Sequence, residues 1–148
     1  MSLHLTLHFE RRFDVPISDV FAMFTEPSRL ARWWGPTGFT AHDVEVDARV
    51  GGRYRIEMQP PEGEAFVLSG EFLVVDPPTR LEYTFVYDVP DPDDRDAVVA
   101  ISLVDVGGST RLVVEHRGFA TEARRTLHEQ GWTETLDRLA GLVERDAE

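Results

Sequence analysis

The chain has 148 residues, of which 42% are hydrophobic, and a formal net charge of -12. This size and composition suit a single globular domain over residues 1–148 and exclude a disordered chain. The acidic surface repels phosphate backbones and anionic lipids, so we expect neither a nucleic-acid partner nor a membrane partner. The absence of cysteine excludes disulfides and thiolate chemistry. There is no apolar run of ~20 residues and no signal-peptide pattern, so we expect a cytoplasmic location.

The first elements are a strand and two short helices. Every second residue from Leu3 to Phe9 is apolar, which predicts a half-buried strand. Residues 15–24 and 26–34 are predicted as two short helices. Pro16 and Pro27 each suit a first helical turn, and Thr25 is the expected cap of the second helix.

Trp33 and Trp34 stand together at the end of the second predicted helix, just before Gly35 and Pro36. Adjacent residues of a helix point about 100° apart, so the two rings cannot face the same core from within a helix. We therefore expect one tryptophan to anchor the helix on the sheet and its neighbour to lie at the mouth of a cavity. The alternative is that both are partly buried between helix and sheet.

Strands and tight turns occupy the middle of the chain. Turns are predicted at residues 50–52, 59–64, 76–79 and 107–108, and such short connections force neighbouring strands into antiparallel pairs. Gly70 lies inside a predicted strand over residues 65–75, where it indicates a bulge, a bend or a close backbone approach. Residues 88–96 contain five aspartates and two prolines, which predicts a solvated loop. A calcium site is the alternative, but the aspartates lack the D-x-D-x-D-G spacing.

The last segment is a predicted long helix. From Thr121, the expected N-cap, to about Arg145 the hydrophobic period changes from 2 to 3.6, which gives a helix of about 36 Å. This helix has to cover the apolar face of the sheet. We therefore predict an α+β fold: a curved antiparallel sheet of about six to seven strands around a long C-terminal helix. The two short helices would close one end, leaving a cavity between sheet and helix. The stripe facing the sheet is predicted to be Leu127, Trp132, Leu136, Leu139 and Val143.

Five segments resemble, in the same order, the Activator-of-Hsp90-ATPase-homologue-1-like (AHSA1-like) family of the START-like (SRPBCC, Bet v1-like) superfamily. They cover residues 14–39, 45–58, 68–85, 109–119 and 128–144. The resemblance implies the helix-grip fold. It also implies a binding space between sheet and helix, where the wider superfamily binds sterols, lipids, polyketides or plant hormones. The eukaryotic activator uses a further N-terminal domain to contact the chaperone, and this chain resembles only the other domain, so we do not expect an Hsp90 interaction.

Candidate ligand-binding residues are large side chains predicted on the inner faces of the strands and of the long helix. The tyrosine hydroxyls need partners, either a ligand or a backbone carbonyl. Gly131 costs about 1 kcal/mol relative to alanine inside a helix, which indicates a packing reason beside Trp132. Tyr87 extends the aromatic face of its strand. The predicted ligand-binding residues are Trp33, Trp34, Tyr54, Phe66, Phe72, Tyr83, Phe85, His116, His128, Trp132 and Leu136.

His116 and His128 are the candidates in this sequence for acid–base chemistry. If His116 and His128 both face inward, they could orient a ligand or exchange a proton with it, although a structural role for each is the alternative. No nucleophile, paired carboxylate or phosphate loop is placed near them by spacing. His4 and His8 would lie about 13 Å apart along a strand, too far to share a metal. We therefore predict no catalytic residue, no metal and no cofactor.

The leading functional hypothesis is non-enzymatic binding of a small hydrophobic or aromatic molecule between the sheet and the C-terminal helix, by a monomer or homodimer. A second hypothesis is an enzyme of the cyclase, aromatase or hydrolase kind that uses His116 and His128. A third is a protein-interaction or co-chaperone-like module, which requires an exposed apolar patch over residues 33–39.

Overall fold

The computed structural model describes residues 5–89 and 94–146 and has the predicted α+β helix-grip fold. His4 and residues 90–93 of the acidic stretch lie outside the described residues. The described elements are β1 (Leu5–Phe13), α1 (Ile17–Thr25), α2 (Pro27–Leu30), β2 (Thr40–Val46), β3 (Arg53–Gln59), β4 (Phe66–Asp76), β5 (Arg80–Thr84), β6 (Val86–Tyr87), β7 (Asp94–Val106), β8 (Ser109–Phe119) and α3 (Glu122–Asp146).

The strands form one antiparallel sheet in the order β1-β8-β7-β5-β4-β3-β2, and β6 pairs with β4. The prediction of consecutive antiparallel pairs is confirmed, and the first and last strands of the chain are neighbours, with Phe9 opposite Val114. Alternate side chains of β3 and β8 are buried, as the period of 2 requires. The core lies between this face of the sheet and α3.

Alternation of Leu81, Tyr83, Phe85 and Tyr87 predicts one strand over residues 80–87. In the structure this strand is interrupted at Phe85, and the interruption lies beside Gly70. A Cβ atom at Gly70 would lie 2.0 Å from the backbone oxygen of Thr84, so only glycine allows this approach. Residues 72–76 of β4 pair with β5, whereas Leu68 and Ser69 pair with β6. The predicted close approach at Gly70 is therefore confirmed, and it lies where β4 changes its pairing from β5 to β6.

Two predicted boundaries are wrong. The second short helix ends at Leu30 rather than at residue 34, and Thr25 does not cap it, because its hydroxyl donates back to the Phe21 carbonyl at 3.0 Å. Glu26 occupies the N-cap position. The loop predicted over residues 88–96 is too long, since β7 begins at Asp94. Pairing of Asp94 with Phe119 of β8 outweighs the low strand propensity of the acidic residues.

The long C-terminal helix is confirmed, and its 25 residues correspond to about 37 Å. The hydroxyl of Thr121 accepts a hydrogen bond from the Arg124 backbone N–H at 3.2 Å, as an N-cap does. Four residues of the predicted stripe are buried, but Leu127 is 57% exposed. Its turn of the helix lies beside an open pocket instead of against the sheet. No described helix is long and apolar enough to cross a membrane.

Candidate ligand-binding pocket

An open pocket of about 360 Å³ lies between α3, the chain after α2 and the strands β3, β4 and β6. Its walls are mainly aromatic and aliphatic, with a few polar groups, which is the usual composition of a small-molecule site. The lining residues are Trp34, Gly35, Pro36, Phe39, Met58, Phe66, Phe85, Tyr87, Asp88, Val89, Arg124, Leu127, His128, Gly131, Trp132 and Thr135.

Both tryptophans of the pair are buried, and of the two only Trp34 lines the pocket. Beyond α2 the backbone N–H groups of Trp33 and Trp34 both donate to the Leu30 carbonyl, at 3.3 and 3.1 Å, so the chain keeps turning as far as Trp34. Trp33 has no exposed surface, and its indole N–H donates to the Met23 carbonyl at 2.9 Å, which ties it to α1. Trp34 stacks edge-to-face with Trp33 and Trp132, and it forms an inner wall of the pocket.

The residues 34–39, which we call the Trp34 loop, are held by Arg138 of α3. Gly35 has φ of +108°, and a Cβ atom there would lie 3.0 Å from that of Phe39, so the loop needs glycine at this turn. The Arg138 side chain is partly buried, and this burial lowers its pKa from the ordinary value without removing its charge. Its Nη1 group donates to the backbone carbonyls of Trp34 (3.4 Å), Gly35 (2.8 Å), Pro36 (3.2 Å) and Phe39 (3.1 Å).

Trp132 is held in place by a hydrogen bond to a histidine. Its indole N–H donates to Nδ1 of His116 at 2.9 Å. His116 is completely buried, and burial, with a smaller contribution from nearby His128, lowers its pKa well below the usual value. The ring is therefore neutral at pH 7, and because Nδ1 accepts a hydrogen bond, the ring proton lies on Nε2.

The structure brings His116 and His128 together, with ring centroids 5.6 Å apart. His128 lines the pocket, and its Nδ1 lies 2.9 Å from the Arg124 carbonyl one turn earlier in α3. His116 does not line it, because Phe85 and Phe119 pack against its ring at 4.6 and 4.5 Å between centroids. Neither histidine is on the outer surface.

Two buried nitrogen atoms near this pocket, the indole Nε1 of Trp34 and Nε2 of His116, have no hydrogen-bond partner among the described residues. A buried N–H group without an acceptor costs about 1–3 kcal/mol. Such groups are rare enough in folded proteins to require an explanation. Of the two, Trp34 belongs to the pocket wall itself.

Five of the eleven predicted residues line the pocket: Trp34, Phe66, Phe85, His128 and Trp132. Tyr54, Phe72 and Tyr83 instead pack together around a second space of only about 20 Å³, on the other side of Trp34. Tyr54 donates its hydroxyl proton to the Thr84 carbonyl at 2.5 Å, and burial raises its pKa. Leu136 is fully buried in the core and, like Trp33 and His116, does not reach the pocket.

Several lining residues were not predicted from the sequence, among them Phe39, Met58 and Thr135. Met58 belongs to the alternating face of β3, and Thr135 follows Gly131 by one helical turn, so the periodic patterns contained both signals. Phe39 lies in an irregular loop, where no periodic signal exists.

Two other sequence-based expectations concern this region. Trp33 and Trp34 are buried and Phe39 is half-buried, so residues 33–39 do not present the exposed apolar patch that an interaction module requires. Among the described residues, no group of three or more His, Cys, Asp or Glu side chains is arranged to hold a metal.

Comparison with known proteins identifies the fold's relatives. The family model of Activator of Hsp90 ATPase homolog 1-like proteins matches residues 14–144. The X-ray structure of protein CV1439 from Chromobacterium violaceum is 31% identical, covers 94% of this chain and 96% of its own, and superposes with a TM-score of 0.84. Protein NE0264 from Nitrosomonas europaea is 32% identical, with coverage of 97% and 96% and a TM-score of 0.81. An AHSA1 protein from Silicibacter pomeroyi is 29% identical, with coverage of 96% and 99% and a TM-score of 0.83. No curated protein matches the sequence.

Proposed function

Since the chain belongs to the family of Activator of Hsp90 ATPase homolog 1-like proteins, whose fold supports a ligand-binding or co-chaperone-like module, we propose that it binds a small hydrophobic or aromatic molecule without catalysing a reaction. The binding site is the pocket between the curved sheet and α3. Trp34, Phe66, Phe85, His128 and Trp132 are the proposed contacts.

The observation that carries this proposal is the open, largely apolar pocket itself. Its volume of about 360 Å³ lies within the range of about 300–1,000 Å³ typical of small-molecule sites. Arg138 holds the backbone of Trp34 and Gly35, and His116 holds the indole of Trp132, so two aromatic walls are in place before any ligand arrives. A preformed site avoids the entropic cost of ordering its walls on binding.

The test is a titration with N-phenyl-1-naphthylamine, a neutral fluorescent probe, followed by its emission and by tryptophan fluorescence. Gly131 lines the pocket, and the nearest side-chain atom to a Cβ built at this residue is Cγ of Pro36, at 3.7 Å. Gly131→Leu therefore places a side chain in the pocket. Gln130→Leu adds the same side chain at an exposed position of the same helix. We expect saturable binding to the wild type and to Gln130→Leu, and at least about tenfold weaker binding to Gly131→Leu.

Absence of saturable binding to the wild type would refute the proposal. Equal binding by both leucine variants would show that the probe occupies another place. Native mass spectrometry of freshly purified protein then adds an independent measurement, because a retained adduct of a few hundred daltons should be lost when Gly131→Leu fills the pocket.

An enzymatic function of the cyclase or hydrolase kind rests on one observation, namely that His128 lines the pocket. His116 is fixed as a neutral acceptor for Trp132, which assigns it a positioning role. A catalytic function therefore requires that the reaction rate depend on pH, that His128→Gln abolish this dependence, and that the variant still bind the probe.

A further inference from the structure

We propose that Gly131 determines the size of the ligand that this pocket accepts, at a cost to the stability of α3. This inference rests on the proposed binding function and adds a specificity-determining residue to it. Three observations support it. Glycine is unfavourable at this place, no described neighbour requires it, and it lies in the middle of the helix face that lines the pocket.

Glycine is an unfavourable residue inside a helix. Gly131 lies well within α3, far from both ends. Glycine in place of alanine at such a position lowers the folding equilibrium constant by about fivefold, because the unfolded chain has more conformational freedom to lose. A glycine here therefore calls for a reason.

The fold itself does not require glycine at this residue. Gly35 has a positive φ, and a Cβ at Gly70 would lie 2.0 Å from the Thr84 oxygen, so both of these positions need glycine. Gly131, in contrast, has a helical backbone. Apart from its chain neighbours and its own helix backbone, the nearest described atom to a Cβ there is Cγ of Pro36, at an ordinary contact distance of 3.7 Å. The packing reason predicted from the sequence is therefore not found among the described residues, and a methyl group would fit.

Gly131 lies in the middle of the helix face that forms one wall of the pocket. The lining residues of α3 recur at spacings of three and four, so they share one face. They are Arg124, Leu127, His128, Gly131, Trp132 and Thr135. A side chain at the central position would project into the pocket from this wall. The missing side chain therefore adds to the volume of the pocket.

The added space matters to a large ligand and not to a small one. A cavity of about 150 Å³ accommodates one benzene molecule, and this pocket measures about 360 Å³. A molecule of one or two rings can therefore lie away from residue 131, whereas a molecule of three rings needs the space beside it. A side chain at residue 131 would overpack the larger molecule, and overpacking is destabilising.

The test uses 1-naphthylamine and N-phenyl-1-naphthylamine, which share a two-ring core and differ by a phenyl group. Affinities are measured by calorimetry for the wild type, for Gly131→Ala and for the control Gln130→Ala, which changes an exposed neighbour on the same helix. The wild type should bind the larger probe at least about tenfold more tightly, because it buries more apolar surface. Gly131→Ala should bind the larger probe about three- to tenfold more weakly than the wild type does, and the smaller probe within about twofold of it. Gln130→Ala should change neither affinity.

Urea denaturation of the same variants separates this role from a structural one. We expect Gly131→Ala to raise the folding equilibrium constant by up to about fivefold, so the variant that binds the larger probe less well is the more stable protein. A less stable Gly131→Ala would show that the fold needs glycine here and would overturn the inference. An undiminished affinity of this variant for the larger probe, or an equal loss for both probes, would also overturn it.

Failure of the proposed function would give a different result. If neither probe binds the wild type saturably, the pocket is not a ligand site and both proposals are refuted. If the wild type binds both probes and Gly131→Ala keeps the wild-type ratio of the two affinities, only the role of Gly131 is refuted.

Discussion

Replacing Arg138 by methionine removes the guanidinium that holds the Trp34 loop while retaining an unbranched, apolar side chain. Nη1 carries two hydrogens, so its two best bonds, to Gly35 at 2.8 Å and Phe39 at 3.1 Å, set the loss. Hydrogen bonds to a charged group contribute about 1.5–3 kcal/mol each, and partial exposure of this side chain favours the lower end. We therefore expect Arg138→Met to lower the free energy of unfolding by about 2–3 kcal/mol.

For a chain of this size, that loss corresponds to a Tm lower by roughly 4–12 °C. Urea denaturation gives the free energy of unfolding, and near-ultraviolet circular dichroism reports the packing of the aromatic side chains, Trp34 among them. Arg125→Met is the matched control on the same helix, because Arg125 makes its contacts, to Thr6 and Glu122, at the surface. The control should lose less than about 1 kcal/mol. If Arg138→Met is no less stable than the control, the loop does not depend on these bonds and the reasoning is wrong.

Three further predictions concern stability. His116 is neutral in the folded state and its pKa is depressed from 6.5, so the unfolded chain binds an additional proton below that pH. The stability that neutral His116 contributes should therefore be fully present above pH 6.5. Below that pH the free energy of unfolding should fall by up to about 1.4 kcal/mol per pH unit. His116→Gln should reduce this slope in pH-dependent urea melts. Gly131→Ala should raise the unfolding free energy by up to about 1 kcal/mol, and a decrease would mean that Pro36 leaves no room for the methyl group. Leu136→Ala should cost about 2–5 kcal/mol, whereas Leu127→Ala, at an exposed position, should stay within about 0.5 kcal/mol of the wild type in thermal melts.

The sequence predicted the fold well because the fold depends on periodic patterns. The alternation along β3 and β8 and the 3.6-residue stripe of α3 each identify a face that must be buried. The boundaries around Leu30 and Asp94 were wrong because local propensity decided the predictions there, whereas tertiary contacts decide the structure.

The site was predicted less completely, for a physical reason. A period of 2 shows that Tyr54, Tyr83 and Phe85 share the inner face, but it does not show how far along the sheet each one lies from the open end. Arg138 was missed altogether, since its carbonyl partners lie between 99 and 104 residues earlier in the chain. No local pattern can connect groups at that separation.

Trp34 also separates two spaces, since its ring lines both the pocket of about 360 Å³ and the small space of about 20 Å³ beside Tyr54 and Tyr83. It is therefore a partition, and its size sets how deep a ligand can penetrate. A smaller residue at this position would join the two spaces into one longer tunnel that reaches towards α1 and β3. A single substitution could thus change the length of ligand that this fold accepts without altering the sheet or the long helix.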